Sequence, residues 1–177
     1  MNLQAAIFGL QEFLDRGGPI LVVIMVVTFI MWAFILERFA YYGFAHGGEA
    51  KRARREWEAR TDKSSWNALA IRDQLLSEVR LKAFTNVELV KTLVAVAPLF
   101  GLLGTVTGMV TVFDAMATSG SSDAQAMAAG VSRATIPTMA GMVASLSGLI
   151  LANQIEQTAR RLSAETADSL VYEVEER

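Results

Sequence analysis

Of 177 residues, 53% are apolar and 19% charged, with a formal net charge of −2. Cysteine is absent, which excludes a disulfide framework and a thiolate metal site, and the net charge is too small to indicate an oppositely charged partner. Apolar residues in such excess, with the charge gathered into a few segments, place the chain among polytopic membrane proteins with soluble extensions.

Residues 1–18 carry Glu12, Asp15 and Arg16 among apolar Leu3, Ile7, Leu10 and Leu14. That spacing predicts a short amphipathic helix on the membrane surface. A basic leader and a small-residue cleavage site are both missing, so a cleaved signal peptide is not expected. Gly17 and Gly18 break the pattern, and Pro19 suits the first turn of a new helix. Residues 19–37 then form the first membrane span, with Trp32, Tyr41 and Tyr42 placed for an interfacial aromatic belt. Glu37 and Arg38 close it as an interfacial ion pair of little energetic consequence.

Residues 38–91 hold eleven of the sixteen Lys and Arg residues. This segment is expected to be cytoplasmic and helical, with Arg52–Glu56 and Arg54–Glu58 at i, i+4 and an amphipathic stretch through Trp66, Leu69, Ala70, Leu76 and Val79. Its basic cluster suits a solvated face next to the inner leaflet better than contact with lipid headgroups or nucleic acid. His46, the single histidine, has no second ligand in reach and is expected at the surface.

The second span is 92–113 and the third 131–155, joined by a hairpin over 114–130 whose tip falls at Ser119–Ser122. Residues 156–177 continue at helical spacing, through Ile155, Leu162, Leu170 and Val174, and should bundle with the cytoplasmic helices. The positive-inside rule puts the N-terminus and the hairpin in the periplasm and the C-terminus in the cytoplasm. The predicted fold is thus all-α and multi-pass, with three transmembrane helices and long helical cytoplasmic extensions.

Small and hydroxylated residues line up on the second and third spans. At about 100° per residue, Ala97, Gly101, Gly104, Thr105, Gly108 and Thr111 share one sector, and Thr138, Gly141, Ser145, Gly148 and Ala152 share another. Two readings fit: close helix packing, or a wetted lining. Thr105 and Thr138 lie almost equally far from the hairpin tip, so their hydroxyls are candidates to line an ion pathway. Pro98 and Pro137 each remove one helix hydrogen bond, freeing the carbonyls of Val94 and Arg133, and are candidate kinks. Arg133 either snorkels to the outer interface or faces a neighbouring subunit or the ion path.

The stretches APLFGLLGTVTGM, from Ala97, and AMAAGVSRATIPTMAGMVASLSG, from Ala126, resemble the last two membrane helices of the ExbB, TolQ and MotA family of ion-driven motor subunits. The opening from Phe13, FLDRGGPILVVIMVVTFIMWAFILERF, is similar to the first helix of its ExbB and TolQ members, and the likeness is nearest to the short form of ExbB. The resemblance implies a bacterial inner-membrane subunit, a homo-oligomer known as a pentamer, around a dimer of an ExbD-like single-span protein, energising a TonB-like protein with the proton motive force. In many members the position matching Arg133 is a glutamate facing the ion path; arginine stands there in this chain, so the resemblance assigns it no titratable carboxylate. A TolQ-like role in envelope integrity and a non-conducting scaffold are the alternatives. No Walker loop, nucleophile elbow or metal-ligand cluster occurs, so no enzyme activity, cofactor or metal is expected.

Overall fold

The computed structural model describes residues 3–63, 65–119 and 124–171, and among these every secondary-structure element is a helix. Helix α1 runs Leu3–Ala40 and passes through a π-helical turn, Tyr41–Ala45, into α2, His46–Glu58. Helix α3 covers Trp66–Phe84, α4 Val87–Ser119 and α5 Ala124–Ser169. Three stretches, within Gly17–Glu58, Trp66–Ala117 and Met127–Ser169, are long and apolar enough to cross a membrane. The side chains of Glu12, Asp15 and Arg16, the hairpin tip at 120–123 with Asp123, and Val174 lie outside the described residues.

The chain divides into two units. The first, Met1–Trp32 with Lys91–Leu149, is built from parts of α1, α4 and α5. Its backbone changes direction where the sequence places two glycines: Gly18 takes φ 69° and ψ −169°, and helical geometry resumes after it. Its buried residues are Leu21, Ile24 and Met31 of α1, Val94, Ala97 and Val112 of α4, and Ala134 and Ala144 of α5. Large apolar side chains such as Phe29, Leu99, Leu102, Val106, Met139 and Leu146 point outward. Small inside and large outside is the pattern of helices that pack in lipid, where no hydrophobic force pulls leucines inward and backbones gain by approaching closely.

The second unit, Ala33–Val90 with Ile150–Arg177, joins the end of α1 to α2, α3, the first turn of α4 and the C-terminal part of α5 from Ile150. Its core is an apolar cluster in which Trp57 and Ala53 of α2 meet Ala68, Leu75 and Val79 of α3 and Leu170 just past α5. Ser65 caps α3, its hydroxyl accepting the Ala68 N–H at 3.2 Å. The ion pair Arg54–Glu58 forms at 2.7 Å, and Arg52 lies 4.0 Å from Glu56.

Two expectations are corrected in this unit. Trp66 is not on the buried face of α3: it is 80% exposed, and the face runs through Ala68, Leu75, Val79 and Ala83. His46 is not at the surface but 4% exposed. The π-helical turn before it rephases the chain, which α-helical spacing does not anticipate.

Candidate functional site

The small-residue sectors of α4 and α5 face each other inside the first unit. A Cβ built on Gly108 would stand 2.7 Å from the Ala134 Cα, and one on Gly104 would stand 2.5 Å from the Pro137 Cβ. On Gly101 it would meet the Thr138 Cα at 2.9 Å, and on Gly141 the Ala97 carbonyl oxygen at 2.6 Å. Gly148 lies where three helices converge, its added Cβ 2.5 Å from the Met31 Sδ of α1 and 2.7 Å from the Val94 Cγ2 of α4. The two helices therefore run antiparallel with their backbones nearly touching along this seam. Ser145 stands half-buried beside it.

Hydroxyl groups border the seam. Thr138 donates across it to the Gly101 carbonyl at 2.9 Å, a bond between side chain and backbone of different helices. Thr105 instead donates to Leu102 of its own helix at 2.7 Å, and Thr111 does the same to Gly108 at 2.7 Å. Thr105 follows Gly104, and Thr138 follows the Pro137 that Gly104 faces, so the two threonines sit within a turn of one another; both are half-buried. A hydroxyl that donates to a carbonyl keeps lone pairs with which to accept, so both remain able to take a hydrogen bond from a group outside the seam.

The prolines are built into their helices. Both α4 and α5 run as single helices through Pro98 and Pro137. The Pro137 ring is fully buried against Gly104, which gives the glycine a steric reason to be one. Arg133 is exposed, next to buried Ala134. An apolar groove of about 1220 Å³ lies elsewhere in this unit, between α1 and α5, lined among others by Ile24, Thr28, Phe29, Val143 and Ser147. Neither Thr105 nor Thr138 borders it. Its hydroxyls are turned back on their own helices, Thr28 to Ile24 at 2.7 Å and Ser147 to Ala144 at 2.9 Å, so its wall presents no free donor at those positions.

Sequence reasoning underrated one group, the Glu37–Arg38 pair. Arg38 is 4% exposed in the second unit, where its guanidinium donates to the Lys82 carbonyl at 3.1 Å and pairs with Glu37. It also lies over the Tyr41 ring, 4.8 Å from the centroid. Tyr42 donates to the Ala83 carbonyl at 3.0 Å, and Asn86 to Glu37 at 3.2 Å. Together these side chains cap the C-terminal end of α3 and hold the turn into α4, where Asn86 takes a positive φ of 60°. The signal available was the run of polar-headed aromatics after the ER pair; the partner carbonyls lie more than forty residues on and leave no sequence trace.

Among the described residues no cluster of three His, Cys, Asp or Glu side chains is placed to hold a metal ion. In comparisons with known proteins, the model of the MotA/TolQ/ExbB proton channel family matches residues 32–168. Biopolymer transport protein ExbB-like 1 of Synechocystis sp. is 40% identical over 67 residues, covering 36% of this chain and 26% of that protein. ExbB-like 3 of the same organism is 36% identical over 75 residues, covering 41% of this chain and 35% of that protein. The chain thus spans about a quarter to a third of the length of the curated relatives it matches.

Proposed function

Because the chain belongs to the MotA/TolQ/ExbB proton channel family, we propose that it is an ExbB-like subunit of an inner-membrane motor that uses the proton motive force to energise TonB-dependent uptake across the outer membrane. The observation that carries this reading is a pairing of presence and absence. A seam with hydroxyls at its border runs between α4 and α5, yet the sequence has no ionisable residue from Thr92 through Phe113 or from Ala134 through Ile155. Threonine hydroxyls relay protons but do not change charge at physiological pH, so the group that binds and releases the proton comes from another chain. In this reading copies of the chain form a homo-oligomer, a pentamer, around a dimer of an ExbD-like single-span protein that supplies a carboxylate. Thr105 and Thr138 border the passage, and Arg133 stands near its outer mouth or at the contact with a neighbour.

The seam itself is closed within one chain, so the passage runs along its outer flank, between this chain and the partner's helix. The charge distribution orients the subunit with residues 38–91 and the C-terminus in the cytoplasm and the hairpin in the periplasm. Catalysis of a covalent reaction is not part of this role.

Vesicles containing this chain together with its single-span partner test the proposal. Proton uptake driven by an imposed potential should appear only when both chains are present. It should fall by roughly tenfold, about 1.4 kcal/mol of barrier, in the Thr105→Val, Thr138→Val double variant and recover with serine at both positions. Undiminished flux in the valine variant sinks the assigned pathway. A deletion strain that leaks periplasmic contents while taking up iron chelates normally shifts the assignment to envelope maintenance.

A further inference from the structure

His46 opens α2 immediately after the π-helical turn, and its backbone N–H donates to the Tyr41 carbonyl, the i to i+5 bond of that geometry. On an α-helix, side chains five apart diverge by about 140°. The π turn instead brings the two rings together, edge to face, with centroids 6.3 Å apart and planes at 69°. One imidazole nitrogen faces the Leu162 carbonyl of α5. The other, Nδ1, is shielded from solvent, as is the Tyr41 hydroxyl, and neither has a hydrogen-bond partner among the described residues.

Such a site suits one protonation state. With a single proton on the nitrogen that faces Leu162, the neutral ring satisfies its donor and leaves only a lone pair unused. A second proton on Nδ1 makes a buried donor with nothing to accept from it, at a site where charge is costly. The surroundings do not compensate. Glu49 of α2 is held by Lys82 of α3 at 2.7 Å, and Glu165 of α5 by Arg161 at 2.7 Å. Arg38, at the end of α1, adds a positive charge over the Tyr41 ring.

We propose that His46 is a pH-sensitive latch in the cytoplasmic unit: neutral, it fastens the start of α2 to α5, and protonated, it lets that start come away. Burial pushes the imidazole below its ordinary value, against the smaller opposing pulls of Glu165, the Leu162 carbonyl and Glu49. The sign follows from linkage. Above about pH 6.5 neither the closed nor the opened form is charged, and the latch is at full strength. As pH falls below that value the opened form takes up the proton first. Opening therefore rises by up to roughly tenfold per pH unit until the lower value of the closed form is reached.

His46 is the only histidine in the sequence, so its ring resonance in the isotope-labelled full chain, held in lipid nanodiscs, is identified without assignment. The ring should titrate below about pH 6.5. Amide exchange over residues 41–58 and 158–168, corrected for intrinsic rates, should accelerate on going from about pH 7.5 to about pH 5.5 in the wild type. In His46→Gln, whose amide donates but cannot gain charge, that acceleration should be absent. A ring that titrates at or above the ordinary value overturns the latch, and so does the same acid response in His46→Gln. Should the glutamine variant fail to fold, the wild-type ring titration decides alone. All these readouts use the chain without its partner, so they are independent of whether protons cross the assembled motor.

Discussion

A buried arginine is worth explaining by what its donors meet. Arg38 spends them on the Lys82 carbonyl and on Glu37, and those partners are exactly what an α-helix C-terminus and a neighbouring carboxylate leave unsatisfied. Removing it strands the carbonyl and leaves Glu37 with only the Asn86 amide among its described partners here. Arg38→Ala should therefore cost about 1.5–3 kcal/mol, the range for hydrogen bonds to charged groups, read as a lowered urea midpoint for the second unit of the detergent-solubilised chain. Arg38→Lys should recover little of this, because one ammonium cannot serve the carboxylate, the carbonyl and the aromatic face together. Thr138 is the membrane counterpart at this scale: its single cross-helix bond to Gly101 fixes where α5 sits along α4.

At the level of helices, the α4–α5 seam is governed by what glycine lacks. A Cβ on Gly108 would press within 2.7 Å of backbone at Ala134, and backbone cannot swing away as a flexible side chain does. Gly108→Ala should destabilise the helix pair by about 1–3 kcal/mol, the usual cost of overpacking, measured by denaturant unfolding in mixed micelles. Gly47→Ala gives the opposite sign. Gly47 lies in α2 with nothing within 4 Å of its added Cβ, so the gain is the helix propensity alone, up to about 1 kcal/mol. Equal effects at the two positions would mean that the seam is not a close contact.

Across the whole chain, residues far apart in sequence close the second unit. The Trp57 indole donates to the Val171 carbonyl at 3.0 Å, and Arg72 donates to Leu170 at 2.7 Å and to Ala167 at 3.2 Å. These bonds hold the end of α5 and the two residues after it from α2 and α3, tying residues 114 and 98 positions apart in the chain. The double variant Trp57→Phe, Arg72→Ala should release that end, with limited proteolysis after residue 160 accelerated roughly fivefold or more, as expected for the loss of about 1 kcal/mol or more in local closing energy. Unchanged cleavage would show that apolar packing around Leu170 suffices by itself.

Three long uncharged stretches, the Gly17–Gly18 break and the facing small residues could all be read directly from the amino-acid order, because bilayer thickness and helical period act on each segment locally. The i, i+4 ion pairs and the helical run past Ile155 were legible for the same reason. What the order of residues could not reveal was which side of a small-residue sector is spent on its neighbour: the glycines meet across a closed seam, and the Thr105 and Thr138 hydroxyls stand at its border. Nor could it reveal that Arg38 and His46 are buried. Their partners, Lys82 and Leu162, are backbone carbonyls, which every residue carries alike, and only the tertiary packing of α3 and α5 selects which of them is near.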